Sequence, residues 1–407
     1  MGELEEMVAS MARSYKVLML VENGPVPLDS RVWPEATTLR DQGFQVSIIS
    51  PKGSPDCESS YSCIDGIHIY RYRVPTIGNT YIAYLVEYSV AHFMTFLLSL
   101  KVWLQHGFDV IHAANPPDLF FTIGLFYRPF GKKFVFDQHD LSPELLQVKF
   151  KRGATPLHRL LLFLEWCSYR TAHLVITTNL SLKQFALERG HCPPDKVIAV
   201  RNGSRLNYMR LVAPEPGLKR GRPYLLAYEG VMDVQDGVEY TLLALHELVH
   251  KRGRQDVSLV LMGNGSNLAA IKRLVHELQL DEYVTFTGWV SREDVARYLA
   301  AADVGLVPDP QNGLNEHCTL VKTMDYMAMG KPIVAFDLAE TRYSAQDAAL
   351  YATPNLVEDF ASKIETLLDD EALRLRMGEL GRKRIDETLS WEETKKQLLF
   401  AYEALLP

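Results

Sequence analysis

At 407 residues the chain exceeds what one ordinary core holds, so two domains of roughly 200 residues are expected. Hydrophobic content of 47%, charged content of 23% and a net charge of −7 describe a soluble globular protein. With no Lys/Arg-rich run they argue against nucleic acid as a partner. Five cysteines (Cys57, Cys63, Cys167, Cys192, Cys318) lack CxxC spacing, which argues against a disulfide frame or zinc site and for a reducing compartment.

Residues 1–15 are polar and read as a loose tail, not a signal peptide. Lys16 to Glu22 is a first strand, followed by the loop Asn23 to Leu28. Asp29 or Ser30 can cap a helix through Gln42, and Gln45 to Ser50 is the second strand of a right-handed βαβ unit. The loop after the first strand belongs at the carboxyl edge of the sheet, where ligands bind. It is neither GxGxxG nor a Walker loop, so a dinucleotide cofactor gains little support. Tyr81 to Leu104 is long enough to span a bilayer, but Glu87, His92 and Lys101 interrupt it. Each charge costs about 2.5–3.5 kcal/mol near a bilayer centre. A buried or partly exposed helix is expected, with an interfacial helix as the alternative.

Further strands are read at Asp109 to Ala113, Lys133 to Asp137, Leu174 to Thr177 and Val197 to Val200. A Pro/Gly/charge-rich stretch then marks a linker at 211–222. A second series follows at Tyr224 to Tyr228, Val257 to Met262, Val284 to Thr287, Val304 to Val307, Pro332 to Phe336 and Leu350 to Ala352. The expected fold class is α/β, two Rossmann-like doubly wound domains facing across a cleft. The first spans 16–210 and the second 223–385. A C-terminal helix at 386–407, opened by the capping box of Ser390 to Glu393, is expected to pack back toward the first domain.

The stretch NEHCTLVKTMDYMAMGKPIVAFD, Asn315 to Asp337, reads as loop, helix and strand. Thr319 is the expected N-cap of a helix of about three turns, stopped by Gly330 and Pro332. Helical spacing puts Thr319, Lys322 and Asp325 on one side. A helix start backed by a lysine suits a phosphate, and a carboxylate further along suits ribose hydroxyls. The plain alternative is an amphipathic helix whose polar side faces water.

These segments, with LVENGPVPLDSRVWPEATTLRDQGFQVSIISP, FDVIHAANPPDLF, FDQHDLSPEL, HLVITTNLSLKQFA, YEGVMDVQDGVEYTLLAL, LVLMGNGSN and VTFTGWVSREDVARYLAAADVGLVPDP, resemble in order and spacing the GT-B glycosyltransferases, specifically glycosyltransferase family 4. The likeness covers nearly the whole chain. It implies a retaining transferase (EC 2.4 class) that moves a sugar from a UDP- or GDP-linked donor to a glycan or lipid-linked acceptor, in surface polysaccharide or glycolipid synthesis. It also implies a cytoplasmic protein, with peripheral contact at the inner face of the membrane as a further expectation. No DxD motif is present, in keeping with a family that needs neither metal nor other cofactor.

The resemblance assigns Asp325 to the donor ribose, where relatives carry glutamate. The family's first motif glutamate falls on His317, with Glu316 beside it, so either Glu316 meets the donor sugar or His317 and nearby N–H groups do. After Gly230, Val231 and Asp236 stand where relatives carry an arginine and a lysine. Lys322 is then the expected cation for the diphosphate, with Arg201 and Arg31 as further candidates and Thr319 and Leu320 at the helix start. His139 matches the active-site histidine that positions sugar or acceptor, with Asp140 to orient its ring. Asn115, ahead of Pro116 and Pro117, lines the acceptor side or only sets a turn. Trp289 and Val290 follow a strand where relatives read the base; Trp289 either stacks on it or packs in a core. Gly24, Gly263 and Gly265 allow close backbone approach to a ligand. Two rival functions share the frame, a non-catalytic sugar-nucleotide-binding partner of another enzyme and a sugar-nucleotide 2-epimerase.

Overall fold

The apolar run Lys16–Leu20 forms β1 of an eight-stranded sheet in the computed structural model, which describes residues 15–53, 59–74, 81–150, 155–204, 206 and 209–406. The tail expected at 1–15 lies, apart from Tyr15, outside the described residues. Two units divide the chain: Met1–Gln147, Arg152–Arg201 and Lys395–Pro407 form the first, Val148–Lys151 and Asn202–Thr394 the second.

In the first unit β1 is followed by α1 (Val32–Asp41), β2 (Gln45–Pro51) and a hairpin of β3 (Tyr61–Ile64) and β4 (Ile67–Tyr72). Next come α2 (Tyr81–Gln105), β5 (Val110–Ala114), α3 (Phe121–Tyr127), β6 (Lys133–Gln138) and α4 (Ser142–Phe150). α5 (Pro156–Thr171), β7 (Leu174–Thr177), α6 (Leu180–Glu188) and β8 (Val197–Ala199) complete it. The strand order is β3-β4-β2-β1-β5-β6-β7-β8, parallel except for β3. Central β1 pairs on both sides, Val17 with Val46 and with Val110. Val17, Leu18, Met19 and Leu20 are all buried, as helices on both faces of a parallel sheet require. α1 starts where the Asp29 carboxylate accepts the N–H of Arg31 at 2.9 Å and of Val32 at 2.6 Å, satisfying donors a helix start leaves open.

The second unit alternates β9 (Tyr224–Glu229), α7 (Val238–His246), β10 (Val257–Met262), α8 (Leu268–Glu277), β11 (Val284–Gly288) and α9 (Arg292–Ala301). It continues with β12 (Val304–Val307), α10 (Val321–Ala328), β13 (Ile333–Phe336), α11 (Ala339–Ala345) and β14 (Ala349–Ala352). α12 (Val357–Asp369) and α13 (Glu371–Arg384) follow, and α14 (Trp391–Leu405) runs from this unit into the residues assigned to the first. Its sheet order is β11-β10-β9-β12-β13-β14, wholly parallel. The two doubly wound sheets expected from the sequence are therefore both present.

One local expectation changes. Gly263 lies at φ +132°, and a Cβ there would collide with the Gly230 carbonyl; one on Gly265 would collide with the Met232 backbone. These glycines let the loops after β9 and β10 press backbone on backbone, and that contact accounts for them without a ligand.

Candidate functional site

Each sheet gathers charged side chains at the carboxyl ends of its strands. In the first unit, β6 runs KFVFDQ and delivers Asp137, fully buried, beside α1. Arg31 meets both Asp137 oxygens, Nε at 3.1 Å and Nη2 at 2.8 Å, and donates Nη1 to the Val200 carbonyl at 2.9 Å. Its Nη2 also lies 3.1 Å from Glu35. Burial alone would raise the Asp137 carboxyl, but Arg31, His139 and His112 outweigh it and hold the group well below its ordinary range. Glu35 goes the other way. Burial, helped by the neighbouring Asp137 charge, outweighs Arg31 and lifts it well above the carboxylate range. Two buried acids against one arginine are thus pushed in opposite directions.

The Asp137 carboxylate takes the His139 ring at Nε2, 2.6 Å away. An ionised carboxylate can only accept, so Nε2 bears a proton toward it and Nδ1 is the ring's outward side. Asp137, not the expected Asp140, orients this histidine. Asn115 fixes the loop from below. Its Oδ1 accepts the N–H of His139 (2.6 Å) and Asp140 (3.1 Å), and its Nδ2 donates to Asp118 and the Asp140 carbonyl (2.9 Å each). Buried and engaged at both ends, Asn115 holds the histidine loop in place. Behind these, His112 Nε2 lies 3.4 Å from Asp137 and 3.5 Å from Glu35, and its Nδ1 pairs with the Tyr402 hydroxyl at 2.8 Å. Arg31, expected as a phosphate ligand, is instead the buried counter-ion of Asp137. Gly24 sits against Asp29, and Arg201 follows β8, half-buried.

Glu35, His112 and Asp137 bring three potential metal-ligand atoms within 4.8 Å of one another. The Arg31 guanidinium already bonds Asp137 and lies 3.1 Å from Glu35, and a divalent cation there would face it at contact distance. The group fits an ion-pair network and not a metal site.

Glu22, just beyond β1, is also buried, and burial, then Glu87, push its carboxyl up to about 7. A carboxyl whose folded pKa exceeds its unfolded one keeps a proton that the unfolded chain has lost. Stability therefore falls as pH rises from about 4.5 to about 7. Glu22→Gln is expected to flatten that fall, by on the order of 3 kcal/mol across the window, in urea unfolding followed against pH. An unaltered slope would place the titration elsewhere.

In the second unit α10 departs from its expected form. It begins at Val321 with Leu320 as N-cap and no side-chain cap, so Thr319 does not cap it, and its 8 residues make about two turns. Residues Lys322 to Ala328 are all buried, so no polar side faces water. Gly330 does end it, at φ +65°. Lys322 bonds both Asp309 oxygens, at 3.0 and 2.9 Å, with side chains 8% and 2% exposed, and lies 3.9 Å from Asp236. Burial pushes its ammonium down, but Asp309 and Asp236 more than offset this and the net is upward. Its charge is spent inside the protein. Asp236 also closes a turn on the Asp233 N–H at 3.1 Å.

Asp325, buried, accepts Arg292 Nη1 at 3.0 Å, and the same nitrogen lies 3.5 Å from Glu229 at the end of β9. Burial and then Asp325 raise the Glu229 carboxyl well above its ordinary value. Arg292 opens α9, two residues after Val290, and its side chain is 37% exposed. Trp289 is 69% exposed, so it does not pack in a core, while Val290 is partly buried against one. Glu316 accepts from the Ala339 N–H and from Gln311, each at 3.3 Å; His317 beside it is half-buried. Sequence reasoning missed Arg292, Glu229, Asp309, Glu35, His112 and Asp137. Only Glu229 and Asp137 carry a legible signal, a lone acid toward the end of an apolar strand, as in YLLAYE and KFVFD.

Models of two protein families match the chain: Glycosyltransferase Family 4 over residues 32–207 and Glycosyl transferases group 1 over residues 223–370. The chain is 28% identical over 197 residues to the MMP alpha-(1->4)-mannosyltransferase of Mycolicibacterium hassiacum, covering 48% of this chain and 46% of that one. The match thus spans just under half of that relative. The structure resembles sucrose-phosphate synthase from Thermosynechococcus elongatus, with TM-score 0.77, 20% identity and coverage of 96% and 99%. It also resembles HepE of Anabaena, solved with UDP and glucose, with TM-score 0.71, 13% identity and coverage of 96% and 100%. At such identities the likeness speaks for the fold.

Proposed function

We propose that this chain, which belongs to glycosyltransferase family 4 and has the GT-B fold, moves a sugar from a UDP- or GDP-linked donor to a hydroxyl of a glycan or lipid-linked acceptor. The observation that carries this reading is the Asp325–Arg292–Glu229 cluster, with exposed Trp289 three residues ahead of Arg292. It offers a carboxylate for ribose hydroxyls, a cation that solvent can reach, and an aromatic face for a base. Arg292 takes the charge role that Lys322 cannot, and the amino end of α10, at Thr319 and Leu320, adds roughly 0.3–1 kcal/mol toward the diphosphate. In the first unit His139 presents Nδ1 to a sugar hydroxyl, its ring held by Asp137.

The anomeric configuration is retained, and the leaving phosphate oxygen takes the acceptor proton. The carboxylate-pair geometry of glycoside hydrolases does not apply. Orientation and charge stabilisation of the departing diphosphate supply the catalysis, with protein cations in place of a metal.

Thermal unfolding with UDP, GDP and ADP tests the reading. A nucleotide at about 100 times its Kd stabilises by roughly 2.7 kcal/mol, and Arg292→Ala is expected to remove most of that shift. No shift with any nucleotide would overturn the proposal. The burial of Lys322 and Arg31 in ion pairs also favours a second reading, a non-catalytic sugar-nucleotide-binding partner. It differs in giving the thermal shift without release of UDP or GDP from a sugar nucleotide.

A further inference from the structure

β5 reads VIHAA and is buried throughout; four of its residues are apolar and the fifth is His112. The side chain that meets this histidine comes from the far end of the chain. Leu398, Ala401, Tyr402 and Leu405 form a buried stripe of α14 at helical spacing, with Tyr402 2% exposed. The phenol pairs with His112 Nδ1 at 2.8 Å, and the two rings lie within 21° of parallel. Phe44 packs edge-on against the Tyr402 ring, centres 5.6 Å apart. A leucine and a phenylalanine would fill these two places with no polar group to desolvate, so packing alone does not call for a histidine and a tyrosine.

The surroundings of Asp137 supply a reason. Its Oδ2 faces three nitrogens: His139 Nε2 at 2.6 Å, Arg31 Nε at 3.1 Å and His112 Nε2 at 3.4 Å. One carboxylate oxygen offers two lone pairs, and the first two nitrogens take them. His112 Nε2 is buried without a hydrogen bond, 3.4 Å from Asp137 and 3.5 Å from Glu35. Both distances exceed the roughly 2.7–3.2 Å of an ordinary bond. His112 is a third claimant on the oxygen that His139 uses, and the Tyr402 hydroxyl anchors its ring by the other nitrogen.

We infer that Tyr402 is a positioning residue for His139: its hydroxyl holds His112 back from Asp137 Oδ2 and so keeps that oxygen for the His139 ring. The effect on turnover rests on the role proposed above for His139; the effect on the ring does not. The test is the imidazole spectrum of the full chain labelled with ¹⁵N-histidine, with no substrate present. In Tyr402→Phe, which loses only the hydroxyl oxygen, His112 is expected to close on Oδ2. The His139 bond then lengthens and its Nε2 proton moves upfield. Adding His112→Leu removes the competitor and should return the His139 signal to its parental position. Phe44→Leu loosens the packing of the Tyr402 ring but keeps the hydroxyl, so it should lower the unfolding temperature and leave the His139 signal unmoved. Turnover of a UDP- or GDP-sugar by Tyr402→Phe should fall several-fold in kcat with KM unchanged. Four outcomes overturn the inference: a His139 signal unmoved in Tyr402→Phe, an equal move in Phe44→Leu, no recovery on adding His112→Leu, or a parental kcat beside a moved signal. A parent chain that turns over no sugar nucleotide counts against the proposed function alone, because the histidine signals still decide the positioning.

Discussion

Lys322→Met is expected to destabilise the second unit by about 3–5 kcal/mol, the usual loss when one partner of a buried ion pair is removed. A water-facing lysine would change stability by no more than about 0.5 kcal/mol. The larger figure applies because the ammonium touches both oxygens of Asp309, itself 2% exposed. Without it Asp309 is a buried carboxylate lacking its cation, and its folded pKa must climb further above the unfolded value. Such a group costs more as pH rises and nothing once it is protonated in both states. The deficit should therefore shrink toward acid pH. Adding Asp309→Leu should recover most of the loss, since an apolar pair of similar volume often does as well as a buried ionic one. Urea unfolding of the single and double variants measures both effects. A single variant as stable as the parent, yet no longer stabilised by UDP or GDP, would restore Lys322 as the phosphate cation.

That outcome would also revive what the sequence suggests, and the reason for the difference is instructive. Strands such as Lys16–Leu20 and Val257–Met262 are legible because a parallel strand covered on both faces is a short apolar run ended by Gly, Pro or a polar residue. The hairpin of β3 and β4 escapes, although Asp65 and Gly66 adopt the positive φ of a tight turn, because four-residue β3 alternates half-buried with exposed positions and carries no apolar run. His139 and Asp325 are legible through their motif surroundings. The roles of Arg31 and Lys322 are not, since a sequence shows where a charge is but not what neutralises it. Asp137 is 106 residues from Arg31, and Arg292 is 33 from Asp325. Only the strand order brings these partners to one sheet edge.

In the first unit two buried acids lie against one arginine, and their replacements are expected to differ sharply. Asp137→Asn should cost about 3–5 kcal/mol; Glu35→Gln should cost less than about 1 kcal/mol, as for one altered neutral hydrogen bond. Both side chains are 0% exposed and both lie against Arg31, so burial and proximity alone would rank them equal. Protonation separates them. Asp137, with two bonds to Arg31 and one to His139, is held well below its ordinary range, whereas burial pushes the Glu35 carboxyl well above it. An amide mimics a neutral acid but not a carboxylate. In Asp137→Asn the arginine is left with Glu35, which it then draws toward ionisation, and that response keeps the loss from exceeding the range. The same change lets an amide N–H face His139 Nε2, so the ring proton is expected to move to Nδ1, visible in the ¹⁵N shifts of labelled histidine. Equal losses from the two variants would mean that the charge is shared. An unmoved proton would mean that Asp137 does not set the acceptor face His139 turns outward.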